Sequence, residues 1–172
     1  MIDIESARTY LKADGDDDDE IVAMIAGATT ICENYCNRVF YADADARNAD
    51  FTQALADRTT AIANRNFTLS SITGTSLDDS ITRNLVTDHY IQELGDITQR
   101  VNGIVIDDAI EAAILITLGH LYVNREDNLA TGNNVVQVPV GAQRILQSKL
   151  WIGNLVDGGV DITDCSSSLE GS

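Results

Sequence analysis

Positive charge is what this 172-residue sequence has least of. Eleven lysines and arginines stand against 27 aspartates and glutamates, which gives a formal net charge of −16. A protein that binds nucleic acid by neutralising phosphates needs a basic footprint, so the composition argues against that class. An anionic membrane surface would also repel the chain. We therefore expect neither nucleic-acid recognition nor membrane docking.

Cysteines, long apolar runs and leader-like features are also scarce. An odd count of three cysteines argues against a disulfide framework and favours a reducing compartment. The richest apolar stretch, residues 112–118, is far shorter than the ~20 residues of a membrane helix. The first residues lack the basic and apolar segments of a secretory signal. With 44% apolar residues, the composition fits one globular domain.

Apolar residues recur at helical spacing in four stretches, 4–12, 17–38, 107–125 and 141–151. The sequence therefore predicts a mainly α fold, a small helical bundle. Between these stretches the signal is weaker, with a thin apolar stripe that would fit a helix near 50–63. Two strand-like segments around Gly95-Asp96 predict a minor β-hairpin element in the middle region.

The predicted helix 107–125 is apolar around almost its whole circumference. Such a helix must be buried on all sides, either in a core or partly against another subunit. The candidate subunit-packing residues are Ile110, Ile114, Leu118, Leu121 and Tyr122.

An acidic run lies at the N-terminus of the helix predicted at 17–38, and its members are Asp14, Asp16, Asp17, Asp18, Asp19 and Glu20. A calcium loop of the EF-hand type needs Gly at position six and Glu at position twelve, where this sequence has Asp19 and Ile25. Helix capping and solvation explain the run more simply.

No catalytic or metal-binding residues stand out. Cys32 and Cys36 could join His89 and His120 around zinc, but the close cysteine spacing of known sites is absent. Buried positions for Cys32 and His120 are the simpler expectation. Nucleophile elbows, phosphate-binding glycine loops and dinucleotide fingerprints are missing. We predict no enzyme activity, no metal and no cofactor.

The C-terminal region combines apolar residues with a Gly/Ser-rich ending. Its candidate docking residues are Leu150, Trp151, Ile152, Leu155 and Val156. Tryptophan is favoured as an interface anchor, which supports a docking tail over 152–172. The alternative is that Trp151 folds back onto the core, since tryptophan is usually well buried.

The order of these features resembles the head–tail connector proteins of tailed bacteriophages, also called adaptor or head-completion proteins. One stretch is the start of the chain, where a short helix, the acidic turn and a long helix ending Glu33-Asn34-Tyr35-Cys36-Asn37-Arg38 follow one another. The other runs from Asp107 to Leu146 and includes His120-Leu121-Tyr122-Val123-Asn124-Arg125-Glu126 and Val138-Pro139-Val140-Gly141. Residues 42–88 and 152–172 depart from that pattern.

The resemblance implies a connector domain over 1–151, elaborated at 42–106, that forms a homo-oligomeric ring, usually a dodecamer, in the virion neck. Its implied partners are the portal protein, a stopper or tail-completion protein, and DNA that passes without sequence-specific binding. Assembly would take place in the bacterial cytoplasm. Strong negative charge suits a channel wall to which DNA does not adhere. The resemblance therefore leads to the hypothesis that the acidic run of residues 14–20 faces this channel or its rim.

Two other classes of function are alternatives to the connector. One is an acidic DNA mimic or inhibitor that binds a basic enzyme surface. It would spread its carboxylates along one face, whereas the densest charge here is a single block at a helix start. The other is a small-molecule enzyme, for which the sequence offers no convergent polar cluster.

Overall fold

Helices dominate the structure, which is a computed structural model that describes residues 2–13, 18–124 and 137–153. The elements are α1 (Ile4–Leu11), α2 (Asp18–Cys36), β1 (Phe40–Tyr41), α3 (Ala44–Ser71), α4 (Leu77–Val101), β2 (Ile104–Val105), α5 (Asp108–Val123) and α6 (Val140–Leu146), followed by a 3-10 turn at Gln147–Lys149. The predicted fold class, a small helical bundle with a minor β element, is confirmed.

Helices α1, α2, α5 and α6 form the bundle. Its core is aliphatic, with Ile21, Ile110, Leu118 and Leu146 fully buried. The one polar side chain fully enclosed among the described residues is Thr117, whose hydroxyl donates to the carbonyl of Ala113 at 2.9 Å. The buried hydroxyl is therefore hydrogen-bonded within its own helix, which removes most of the cost of burying it.

Local signals set the ends of the bundle helices. The Asp107 carboxylate accepts the N–H of Ile110 at 2.9 Å and begins α5, as its position before the apolar stretch predicts. Helix α2 ends at Cys36 because Asn37 takes the left-handed conformation, with φ of 55°. Asparagine tolerates this conformation better than most residues.

Helices α3 and α4 pair into a helical hairpin, here called the arm. A small apolar cluster of its own holds the two helices together, formed by Ala54, Ala61, Tyr90 and Ile97. The Arg65 guanidinium also stacks over the Tyr90 ring, 4.9 Å from the ring centroid. The arm thus has a core distinct from that of the bundle.

The predicted β-hairpin around Gly95-Asp96 is wrong, because these residues lie within α4. Val86, Tyr90, Ile97 and Val101 recur at helical intervals, and Tyr90 and Ile97 pack against α3. Glycine inside a helix costs about 1 kcal/mol relative to alanine. Packing along the whole pair outweighs that local penalty.

Helix α3 is also longer than the stretch 50–63 that its thin apolar stripe predicts. Much of it is polar, but its threonines are compatible with a helix. The hydroxyls of Thr52, Thr59, Thr60 and Thr68 each donate to the carbonyl four residues earlier, at 2.9–3.1 Å. Asp43 caps the start by accepting the N–H of Ala46 at 2.8 Å.

The β element is a parallel pair rather than a hairpin. Phe40 pairs with Ile104, and Tyr41 pairs with Val105. The whole arm connects β1 to β2, and a connection of this length allows the two strands to run in the same direction. This pair marks the base of the arm, where it joins the bundle.

Candidate docking surfaces

An apolar groove lies on the bundle next to the base of the arm. Its volume is about 490 Å³, and its lining residues are Ile2, Ile4, Val22, Ile25, Ala26, Thr29, Thr30, Phe40, Ala42 and Ile106. The two threonine hydroxyls donate to the backbone carbonyls of Ile25 and Ala26, at 2.8 and 3.0 Å. The lining therefore presents apolar surface and no charged group.

A second apolar surface lies on the outer side of the arm. Leu77, Ile81 and Leu85 are 76%, 48% and 62% exposed, and we call these three residues the outer stripe. Their four-residue spacing places them along one side of α4. Ile81 precedes Tyr90 by nine residues, about two and a half helical turns, so the stripe faces away from α3. Helix α3 adds Phe67, 77% exposed, near the same tip.

The turn at the tip is fixed by hydrogen bonds. Arg83 donates from Nη2 to the carbonyls of Ile72 and Gly74, the latter at 3.1 Å. Ser76 and Asp79 form a reciprocal capping box at the start of α4. The Asp79 pKa is lowered because the carboxylate accepts from the Ser76 hydroxyl and backbone N–H. The exposed apolar side chains are thus presented by an ordered turn.

Charged hydrogen bonds tie the two helices of the arm together near its base. Arg100 donates to Asp50 at 2.6 Å and to Asp57 at 2.7 Å, and the Tyr41 hydroxyl donates to Asp50. The Arg100 guanidinium lowers the pKa of both carboxyl groups. Burial, and then the bond to Asp50, raises the pKa of Tyr41, so its phenol stays protonated. The network joins β1 to both helices of the arm.

Part of the acidic run lies in the first turn of α2, as predicted, where Asp18, Asp19 and Glu20 complement the helix dipole. Asp18 also accepts from Arg8 Nε at 2.6 Å, which ties α1 to α2. Asp14, Asp16 and Asp17 lie outside the described residues. The hypothesis that the run faces a channel or rim stays a prediction.

The five candidate packing residues of α5 fall into two groups. Ile110, Ile114 and Leu118 are fully buried by their own subunit. They therefore lie in the core of their own subunit and have no exposed surface that a neighbouring subunit could cover. Leu121 and Tyr122 are half-buried and retain some accessible surface.

The C-terminal docking residues leave the bundle beside the end of α2. The backbone N–H of Trp151 donates to the carbonyl of Cys36 at 3.0 Å. The Trp151 side chain is half-buried and packs against Gly153. Leu150 is half-buried, and Ile152 is 85% exposed. Leu155 and Val156 lie outside the described residues. Both the docking role and the alternative packing of Trp151 stay predictions.

The thiols of α2 are structural. Cys32 and Cys36 are fully buried, with Cys32 Sγ 3.5 Å from the Thr117 hydroxyl. Burial raises the pKa of both thiols, that of Cys36 to about 11, so neither is a ready nucleophile or metal ligand. His120, expected in the core, is exposed. Over the described ranges, no three His, Cys, Asp or Glu side chains are grouped to hold a metal ion.

The outer stripe and the Arg100 network were not identified from the sequence. The spacing of Leu77, Ile81 and Leu85 was available as a signal, but it becomes informative only once residues 77–101 are known to be helical. Nothing in the spacing of Asp50, Asp57 and Arg100 indicates that they meet, because two long helices bring them together.

Comparison with known proteins gives no match to a family model, to a curated protein or to a solved structure. In the part of the chain that the structure describes, no helix combines the length and apolar character needed to cross a membrane.

Proposed function

We propose that this chain is a structural connector protein of the phage neck, which assembles as a ring on the portal and extends the DNA channel. The main support for the proposal is that the two stretches with the connector-like order of features pack into one helical bundle. Among the described residues, all the buried members of the bundle core come from positions 2–40 and 110–146. The dissimilar middle region forms the arm, with its own small core.

The distribution of charge also supports the proposal. The arm, residues 44–101, contains five arginines and eight acidic residues, so its net charge is −3. The remaining sequence therefore carries −13 of the total −16. The described residues outside the arm, 2–13, 18–43, 102–124 and 137–153, carry −5 of this charge. A ring of such bundles would surround a channel with negative potential, which disfavours adhesion of the DNA phosphates.

The first test is negative-stain imaging of the purified protein, alone and mixed with the portal protein encoded by the same genome. We expect rings, or an added tier on the portal. A protein that stays monomeric and does not bind the portal would overturn the proposal. An acidic inhibitor of a DNA-binding enzyme would then become the leading candidate.

The proposed tail contact is tested by two nested deletions. Removing residues 150–172 should abolish portal binding and leave the helical signal of the bundle intact, because the deletion begins after α6. Removing only 157–172 is the matched control, since it keeps all five candidate docking residues. Portal binding retained by the longer deletion would exclude a docking role for this segment.

The channel hypothesis needs a separate variant. Replacing Asp18 and Asp19 with asparagine, together with the other aspartates of the run, removes charge at nearly constant side-chain volume. DNA retention and delivery should then be impaired in reconstituted particles. Normal retention and delivery would leave helix capping as the role of the run.

A further inference from the structure

The groove and the outer stripe are apolar surfaces that cannot meet within one molecule. Leu85 and Leu77 lie 16 and 24 residues before the end of α4 at Val101. At 1.5 Å per residue, the stripe is about 24–36 Å along the arm from its base. The groove lies at that base, since Phe40 and Ala42 line it just before α3 begins.

We infer that the outer stripe of one copy docks in the groove of a second copy of this chain. This inference deepens the proposed function and rests on it, because a ring requires such a contact. When one surface binds a different surface of the next copy, the contact repeats and closes into a ring if the rotation allows. A contact between two identical surfaces would stop at a dimer.

The shapes and chemistry of the two surfaces match. A helix that presents apolar residues at positions i, i+4 and i+8 is the form in which helices bind apolar grooves. A groove of about 490 Å³ is within the range of ligand-sized sites and can receive several large side chains. Val22 lies in its lining and is 54% exposed, so the groove is accessible from outside.

Charge favours this approach over other contacts between copies. Residues 58–90, which contain the stripe, have three arginines and three aspartates and therefore no net charge. All 16 net negative charges lie elsewhere in the sequence. Two bundles that meet directly would bring like charge together, whereas the outer half of the arm approaches a neighbouring bundle without net repulsion. The outer half of this chain's own arm is therefore an apolar occupant that the groove can receive without net repulsion.

The test uses one variant on each surface. Leu85→Asp places a charge in the stripe, and Val22→Asp places one in the groove. Both residues are exposed, so the subunit should fold, which circular dichroism would check. Ile91→Asp and Val123→Asp are the matched controls, because both residues are exposed and lie outside the two surfaces. Sedimentation velocity reports assembly.

We expect wild-type protein and both controls to assemble, and each docking variant alone to remain monomeric. An equimolar mixture of Leu85→Asp and Val22→Asp should form dimers, because it contains one intact stripe and one intact groove. If an aspartate variant fails to fold, alanine at the same position replaces it, Leu85→Ala for the stripe or Val22→Ala for the groove, with an expected loss of about tenfold or more in association.

Assembly by either docking variant alone, or a mixture that stays monomeric, would overturn the inference. These outcomes leave the connector proposal standing if the wild type still forms rings. A wild type that is monomeric in solution but adds a tier to the portal would also refute this contact and support the proposed function. Failure of both self-assembly and portal binding would overturn both proposals.

Discussion

Replacing Ile114 with alanine tests whether α5 is buried by its own subunit or by a neighbour. Ile114 is fully buried in the bundle core. The change removes three carbon atoms, worth about 2.4 kcal/mol at ~0.8 kcal/mol for each buried methylene. The cavity left behind adds to this cost, and such substitutions destabilise by about 2–5 kcal/mol in total. We expect a loss of about 3.5 kcal/mol.

The assay is urea unfolding followed by the fluorescence of Trp151, the single tryptophan of the chain. Its backbone is bonded to the end of α2, so it reports on the bundle. With a urea dependence of about 2 kcal/mol per molar, the midpoint should fall by roughly 2 M. Ile152→Ala is the matched control, because Ile152 is 85% exposed and should change the midpoint little.

Protein concentration separates the two alternatives. If Ile114 packs within its own subunit, the loss in stability is the same at low and high protein concentration. If it packs against a neighbour, the loss grows with concentration, because only the assembled wild type gains from the contact. A concentration-dependent loss, or a loss below about 1 kcal/mol, would refute the core assignment of Ile114.

Three further predictions concern single groups. Gly27→Ala should raise the midpoint of thermal unfolding, because alanine favours a helix over glycine by up to about 1 kcal/mol. The added Cβ would meet only Leu121, at 3.9 Å, which is an ordinary contact distance. A lower midpoint would show that the Cβ clashes. Arg100 holds the pKa of Asp50 below its ordinary value, so this pair stabilises the fold above about pH 4. The stability difference between wild type and Asp50→Asn should therefore vanish as the pH falls through the folded-state pKa, and an unchanged difference in acid would exclude this linkage. Cys36 should resist alkylation until the protein unfolds, because burial raises its thiol pKa to about 11. Mass spectrometry of the peptide that contains Cys36 would contradict this if it showed rapid alkylation of the folded protein.

The bundle could be predicted from the sequence because its helices carry large aliphatic residues at helical spacing. Ile21, Ile110 and Leu118 are members of those patterns, and all three are fully buried. Their burial requires little knowledge of the partner helix, since an apolar stripe must be covered by something. The boundaries of the first three helices lie within two residues of the predicted ones for the same reason, aided by Asp107 as an N-cap. The prediction of a helix over 141–151 is wrong at its end, because α6 stops at Leu146 and a 3-10 turn follows.

The arm could not be predicted in the same way. Two of its four buried residues are Ala54 and Ala61, whose small side chains contribute little to an apolar pattern. Gly95 and Asp96 resemble a turn locally, and only the extended pairing with α3 keeps them helical. The outer stripe could not be predicted either, because leucine and isoleucine do not indicate whether they are exposed until the secondary structure of their segment is known.

In the proposed ring, the arm would reconcile two properties of this chain that otherwise conflict. A net charge of −16 opposes association between copies, yet assembly needs close contact. In the proposed contact, the neutral outer half of one arm meets the neighbouring bundle, so the two charged bundles stay apart. Arg100, Asp50 and Tyr41 join the arm to β1, so its direction is fixed relative to the bundle. Repulsion between bundles then disfavours other arrangements, and the apolar stripe supplies the attraction for one of them.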